Sequence, residues 1–476
     1  MDKYRKLASD TFLFAISSFA SKILIFILLP LYTGILSTSE YGTVDLLTNI
    51  VNLIYPLLTL SIVESTLRFA FDQDVKKNEI LSVSLTFIFL STLFLFIFTP
   101  MSYIFGETIN KYWIEFILLF LGTSLQNCFS FYCRGINKIK LFATQGVLQT
   151  IITVTLNLIL LLVFNMGIMG YLISTISAYY ITVIYIIIKG EFWKEICGFK
   201  LNKSLMYDML KYSIPLVPSG ISWWISSSAD KYFIIGILGL GASGIYSVAH
   251  KIPSMFSVIT DIFNKAWQIS AIGTIEDKNS DVFYSDIYRY FTLLCIGTCS
   301  ILMLLAEALG KVLFLNEYFI AWTYVPPLLI STLFSSLSGF LASVFISVKK
   351  TKMIFYSTLI GAFINIILNY SFIKTFGIMG ASYSTMVSFI VVWIIRLFSS
   401  KKIMNIKVKF FKTSISMTLL IIEGLIMCNE IKLKYFISII LILLIILTNM
   451  DDIKVVCKKT LTVVMNKLRI INSKVL

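Results

Sequence analysis

Apolar residues come in long runs along this chain, separated by short loops rich in Lys, Gly, Asn and Ser. Fourteen such runs can be marked, from the first near Thr11 to the last near Tyr435. Most hold 17–28 residues, and about 20 are needed for a helix to cross a hydrocarbon core of ~30 Å. Each run is therefore predicted to be a membrane-spanning helix. Several are not uniformly apolar. In the eighth, between Ile245 and Ile272, residues His250, Ser254, Ser257, Asp261, Asn264 and Gln268 recur at steps of three and four, so they share one helical face. Lys251 and Lys265 flank that face. The second run repeats the pattern with Asp45, Thr48, Asn52, Tyr55 and Thr59. The seventh does so with Ser219, Ser222, Ser226 and Asp230, flanked by Trp223, Trp224 and Lys231. A lipid-facing helix does not carry such a stripe, because an ionisable side chain at mid-membrane costs at least about 2.5 kcal/mol. The striped faces must meet protein or a water-filled chamber. Runs three to six carry no comparable stripe and read as scaffold facing lipid.

Composition agrees with this reading. Of 476 residues, 58% are hydrophobic and 14% charged, which is a polytopic membrane protein and not a soluble domain. The net charge of +15 follows the loops. Lys and Arg crowd the loops on the side of the N-terminus. The opposite loops carry only Lys111, Lys311, Lys374, Lys432 and Lys434. The positive-inside rule then puts both termini in the cytoplasm. The basic tail after Asp451 is expected to rest on the anionic inner leaflet. Because the basic charge tracks the loops, no nucleic-acid partner is expected.

Enzymatic readings find little support. The seven Cys, among them the pairs Cys128/Cys133 and Cys295/Cys299, have no metal-ligand spacing, so no metal is expected. There is no GxxxxGK[ST] phosphate loop, and His250 is the only histidine. The outer loops are too short to hold a catalytic domain. These features favour a secondary transporter without cofactors over an ATPase or enzyme. Coupling to H+ or Na+ would fall to Asp230, His250 or Asp261, and the sequence leaves the ion open.

The chain also repeats itself. Lys138-Ile-Lys140 and Asn157 recur as Lys350-Thr-Lys352 and Asn369; the turn Gly167-Ile-Met-Gly170 recurs as Gly377-Ile-Met-Gly380; Gly42 has a counterpart in Gly244. The offsets are 212, 210 and 202 residues. Runs 1–6 and 7–12 therefore read as two copies of one unit, and six spans per copy make the copies parallel. The expected fold is all-α, with fourteen transmembrane helices. It comprises an N-terminal six-helix bundle (1–190), a cytoplasmic linker (191–212), a second bundle (213–400), two further helices (401–450) and a basic tail (451–476). The linker, with Trp193, reads as an interfacial amphipathic stretch. Pro56 and Pro253 are expected to bend their helices.

Buried charge gathers in the first two helices of each copy. By position, Lys231 and Lys251 lie toward the outer face, Lys22 near the middle, and Lys265 and Arg68 toward the cytoplasm. Asp45, Glu64, Asp230 and Asp261 accompany them, and Glu64 stands four residues before Arg68, the favourable order for an ion pair. A ladder of cations suits a phosphate-bearing cargo. Mutual salt bridges that only fix packing are the other reading.

Two stretches resemble a known family. SSFASKILIFILLPLYTGILSTSEYGTVDLL (Ser17–Leu47) and PLVPSGISWWISSSADKYFIIGILGLGASGIYSVAHKIPSMFSVITDIFNKAWQISAI (Pro215–Ile272) are similar to Wzx-type oligosaccharide flippases. These belong to the multidrug/oligosaccharidyl-lipid/polysaccharide exporter superfamily. The resemblance covers about residues 1–400. It implies two six-helix bundles around a cationic cavity, two extra C-terminal helices and alternating access. It implies a cargo of undecaprenyl-diphosphate-linked oligosaccharide, moved across the bacterial cytoplasmic membrane for capsule or O-antigen, with membrane lipids, a polysaccharide polymerase and chain-length proteins as partners. Carried to this chain, it implies Lys22, Lys231, Lys251 and Lys265 as cavity cations, with Asp230 and Trp267 in the matching motifs. A drug exporter or lipid II flippase of the same superfamily is the alternative, and a membrane polysaccharide polymerase a more distant one.

Overall fold

Backbone in a lipid environment must satisfy its own N–H and C=O groups, and a helix does so within one segment. Among the residues described by the computed structural model (26–72, 74–274, 280–348, 352–401, 410–429 and 431–455), every regular element is helical. Nine of these helices are long and apolar enough to cross a membrane, or ten if one sharply bent pair counts as a single span. Most of the first apolar run, with Lys22, lies outside the described residues. The described residues divide into two compact units. One runs to Ser247 and takes in Leu315–Tyr318; the other holds Val248–Phe314 and the residues from Phe319 onward.

The first unit comprises α1 (Leu29–Ile35), α2 (Thr38–Leu58), α3 (Ile62–Ala70), α4 (Lys77–Ile97), α5 (Trp113–Gly135), α6 (Ile139–Asn157), α7 (Gly167–Gly190), α8 (Lys203–Ser213), α9 (Val217–Leu238) and most of α10 (Leu240–Ala249). Helix α2 begins at a capping box. Ser37 Oγ accepts from the Glu40 N–H at 3.2 Å, and the Glu40 carboxylate accepts from the Ser37 N–H at 2.9 Å. The chain bends by 65° between α2 and α3. Pro56 stays inside α2, and the break follows it at Leu60 and Ser61, both in the left-handed region. The bend expected at Pro56 therefore falls one turn later. The core of the unit gathers Ile62, Ile80, Phe129, Tyr132 and Ile186, and α8 adds Leu205 and Met209 to it. The linker is thus anchored by three buried residues, Phe192, Leu205 and Met209, while its Trp193, Phe199, Tyr207 and Tyr212 stay exposed. Helix α4 exposes Phe89, Leu93, Phe94, Phe96 and Ile97, in keeping with a lipid-facing scaffold.

Two helix starts cross here at very short range. A Cβ on Gly42 would lie 2.2 Å from the Leu240 carbonyl oxygen, and one on Gly244 would lie 2.1 Å from the Thr38 carbonyl oxygen. These are the two glycines that the sequence repeat pairs at an offset of 202. Each lets its helix backbone approach the other, a contact that no side chain permits. The repeated turn behaves alike in both copies. Gly167 and Gly377 both take positive φ (+51° and +60°), and Gly170 and Gly380 face the carbonyls of Leu160 and Phe372.

The second unit comprises α11 (Lys251–Thr274), α12 (Ser280–Leu304), α13 (Ala306–Leu313), α14 (Val325–Ser347), α15 (Lys352–Phe376), α16 (Ile378–Lys401), α17 (Phe410–Cys428) and α18 (Lys434–Thr448). Helices α10 and α11 are separated at His250. The break expected at Pro253 falls three residues earlier, and Pro253 occupies the first turn of α11, where a missing N–H costs nothing. The core is aromatic: Trp267 lies flat on Phe340 at 4.6 Å and edge-on to Tyr284 at 4.8 Å. Glu423, which no pattern in the sequence explained, is fully buried in α17. It accepts hydrogen bonds from Ser300 of α12 and, at 2.7 Å, from Ser438 of α18. The carboxyl so ties the C-terminal hairpin to the unit. Outside the spans, Glu307 of α13 receives Lys434 at 2.6 Å, Lys311 at 3.2 Å and the Tyr435 hydroxyl at 2.5 Å.

Two predictions follow from this packing. Gly42→Ala should cost about 1–3 kcal/mol, because the crossing must open to admit the methyl group, whereas Gly236→Ala, with nothing within 4 Å of its added carbon, should not lower the melting temperature in detergent. At Glu307, burial alone would raise the carboxyl pKa, but the Lys434, Tyr435 and Lys311 donors outweigh it and hold the group at about 2. A carboxylate lowered in the folded state contributes stability above its ordinary value near 4.5 and loses it as pH falls toward 2. The melting temperature of wild type should therefore drop more steeply between pH ~4.5 and ~2 than that of Glu307→Gln, and the two curves should converge at the acid end.

Candidate functional site

The polar faces of α2 and α9 meet within the first unit, and an ion pair joins them. Lys231 Nζ donates to both oxygens of Asp45, at 2.9 and 2.8 Å. Each side chain is 18% exposed, so the pair is mostly withdrawn. Asp45 is the eighth residue of α2 and Lys231 the eighth from the end of α9. Each therefore sits ~10 Å in from an end of its helix.

The rest of the network is built around that carboxylate. Ser247 of α10 donates to Asp45 Oδ2 at 2.8 Å, and Asn49, one turn further along α2, donates to the same oxygen at 3.0 Å. Asn49 is itself held from α9. The Ser228 hydroxyl donates to its Oδ1 at 3.2 Å, and the Trp224 indole N–H to its backbone carbonyl at 2.8 Å. Trp224 packs on Tyr232, with ring centres 4.9 Å apart. Asp230, beside Lys231 but turned to another face, is buried and accepts from the Tyr246 hydroxyl at 2.8 Å. Thus α2, α9 and α10 are linked through two carboxylates, one amine and four neutral donors. The step-of-three-and-four pattern makes this possible, because it aligns Asp45 with Asn49, and Trp224 with Ser228 and Lys231, along facing stripes.

The chemistry of this cluster is binding and exchange. A primary amine held by a carboxylate is a ready partner for another anion, and hydroxyl and amide donors around it suit phosphate oxygens. Nucleophile and base are not paired here in the way a covalent mechanism needs.

The remaining sequence candidates are placed as follows. Arg68 is 54% exposed on its side chain and pairs with Asp72 at 2.7 Å. The pair expected with Glu64 does not form; Glu64 instead lies in the field of Arg134 of α5. Both residues lie on α3, but Arg68 takes Asp72, four residues further on, while Glu64 faces α5. His250 and Lys251 are half-buried at the α10–α11 junction, and Asp261 is exposed on α11. On that stripe, Ser254 and Ser257 satisfy themselves on their own helix, donating to the carbonyls of Lys251 and Pro253. Trp267 is 4% exposed in the aromatic core of the second unit. The side chain of Lys265, like all of Lys22, falls outside what is described.

Sequence reasoning passed over one buried cation. Arg396 of α16 is 7% exposed and donates to the Ser338 carbonyl, Ser357 Oγ and Thr358 Oγ1 at 2.8–2.9 Å. Among the described residues no carboxylate pairs with it. Its position inside an apolar run, Val391–Phe398, was the signal available in the sequence.

Comparison with known proteins adds to this picture. The profile of a family described as polysaccharide biosynthesis protein matches residues 7–267, more than half the chain. An uncharacterized membrane protein of Methanocaldococcus jannaschii is 25% identical over 419 residues, covering 83% of this chain and 98% of that one. The lipid II flippase MurJ in an inward closed conformation superposes with a TM-score of 0.65 at 17% identity, covering 94% of this chain and all of that one. A multidrug resistance MATE transporter of the MOP superfamily, inward-facing, also gives a TM-score of 0.65, at 14% identity over 81% of this chain and 94% of that one. At these identities the likeness to solved structures is one of fold.

Proposed function

This chain belongs to the polysaccharide biosynthesis protein family, and we propose that it is a flippase for polyprenyl-diphosphate-linked oligosaccharides. It is a multi-pass membrane protein with the fold of the MOP-superfamily transporters, a group of transporters and not of enzymes. In the proposed reading, undecaprenyl-diphosphate-linked repeat units pass from the inner to the outer leaflet of a bacterial cytoplasmic membrane for capsule, O-antigen or a related polysaccharide. The protein would span the membrane fourteen times with both termini in the cytoplasm, as two six-helix bundles, residues 1–190 and 213–400, and a C-terminal helix pair. The cargo's diphosphate would meet Lys22, Arg68, Lys231, Lys251 and Lys265, and its sugars would meet the hydroxyl and indole groups beside them, Trp267 included. Rocking of the bundles about the 191–212 linker would carry the head group across while the lipid tail stays in the bilayer. Coupling to H+ or Na+ would run through Asp230, His250 or Asp261.

The observation that carries this reading is Lys231. Inside a predicted span it offers an ammonium to a carboxylate that two neutral donors also reach, a donor set that suits phosphate oxygens as well. A pump for cationic drugs would gain more from an acid left uncompensated, and here Asp45 is neutralised. A lipid II-type cargo is the second reading. It is favoured by the fold shared with the lipid II flippase, and its head group would engage the same cations if it too is a polyprenyl diphosphate.

The test is translocation in proteoliposomes, with a fluorescent polyprenyl-diphosphate oligosaccharide as cargo. Wild type should move the label between leaflets. Lys231→Gln and Lys251→Gln should each slow it by on the order of tenfold or more, since a hydrogen bond to a charged group is worth about 1.5–3 kcal/mol. A parallel assay with lipid II separates the two cargoes. Efflux of cationic drugs with no movement of either lipid would refute the proposal.

A further inference from the structure

Asp45 now holds, through both of its oxygens, the amine that the proposed cargo would need. It also collects Ser247 Oγ and Asn49 Nδ2. A carboxylate receiving one ammonium and two neutral donors is bound much as a phosphate oxygen pair would be. Its donors come from three helices, α2, α9 and α10, so the carboxylate also fastens those helices together. The fastening lies close to the Gly42–Gly244 crossing, three residues from either glycine along the chain. There the backbones of α2 and α10 touch with no room for a side chain.

We propose that Asp45 is a built-in stand-in for the cargo's phosphate, and that transfer of Lys231 from Asp45 to the diphosphate unfastens α2 from α9 and α10 on the outer side. This rests on the reading of the preceding subsection and adds the step that couples cargo to opening. A ligand shifts a conformational equilibrium only through its different affinity for the two states. Here the difference is explicit. With α2 fastened, the phosphate must compete with Asp45 for the amine; with α2 released, Lys231 is available. The cargo therefore binds the opened arrangement better. Empty protein keeps its outer side fastened because Asp45 would otherwise lose its counter-ion in a mostly dehydrated place. The exchange passes the cation from Asp45 to the cargo; the freed carboxylate keeps the Asn49 amide of its own helix and is hydrated as the outer side opens.

The inference makes an unusual demand of a substitution. Removing a carboxylate from the site should strengthen anion binding. The probe is farnesyl diphosphate, with uncharged farnesol as control, titrated into the full-length protein in detergent. Wild type should bind the diphosphate in preference to the alcohol. Asp45→Asn, close in shape, should bind it on the order of 5- to 50-fold more tightly, the usual span of a coupling between two linked events. Asp45→Ser should do the same, which guards against a folding defect peculiar to one variant. Lys231→Gln should lose most of the preference, and Asp45→Asn/Lys231→Gln should be no tighter than Lys231→Gln alone. A second readout follows the unfastening. Ser243 of α10 is buried; as Ser243→Cys it should react with an impermeant maleimide faster when farnesyl diphosphate is added, and fast without it when combined with Asp45→Asn.

The outcomes separate the two claims. Diphosphate binding by wild type with Asp45→Asn and Asp45→Ser equal or weaker, or tighter binding with unchanged labelling at position 243, overturns the exchange and leaves the flippase reading standing. No preference of wild type or either Asp45 variant for diphosphate over alcohol overturns both.

Discussion

The constraint behind this structure is that a charge withdrawn from water must find a counter-charge, a full set of hydrogen bonds or a ligand. On insertion scales a lysine or aspartate at mid-membrane costs about 2.5–3.5 kcal/mol, and the cost grows with isolation. Lys231 and Asp45 meet the constraint through each other, at 2.8 Å. Arg396 meets it with three oxygen acceptors and Glu423 with two serine hydroxyls. The three solutions differ in what they allow next. Arg396 and Glu423 are each enclosed by acceptors or donors from neighbouring helices, which suits a permanent clasp. The Lys231–Asp45 pair keeps 18% exposure on each side chain, so it is less enclosed than the other two.

The glycine crossing works with the pair. Backbones that touch at Gly42 and Gly244 give a contact with high shape specificity and little adhesive area, so its stability depends on what surrounds it. The hydrogen bonds of Asp45 and the donation from Tyr318 Oη to the Ser37 carbonyl at 2.7 Å lie on either side of it. Such an arrangement is held closed while its polar bonds are made.

Much of this was legible in the sequence, for identifiable reasons. Long apolar runs leave helix as the one economical backbone solution. Stripes at steps of three and four marked α2 and α9 as polar, but the contacts between them are made by Trp224 and Lys231, which flank the Ser219–Asp230 stripe, and by Ser228 and Asn49, which no stripe included. The near-constant offset of the repeat flagged Gly42 and Gly244, though nothing in the pattern said that they would touch. What escaped depends on three-dimensional neighbours. Glu64 and Arg68 have ideal helical spacing on α3, but Arg68 has a second acid at the same spacing, Asp72, and takes that one. The prolines marked the neighbourhood of the breaks, but the breaks themselves fall at Leu60–Ser61 and at His250. Glu423 was visible as an oddity, but its serine partners are 15 and 123 positions away.

The central claim is that the Lys231 amine is the cargo's phosphate contact. Magnetic resonance of the lysine-15N-labelled protein in lipid bilayers, with a polyprenyl-diphosphate oligosaccharide bound, reads this contact as dephasing of a lysine nitrogen by phosphorus. The account predicts a dephased lysine signal that disappears in Lys231→Gln. A fully bound cargo whose phosphorus dephases no lysine nitrogen, or dephases the same signals in Lys231→Gln as in wild type, would contradict it.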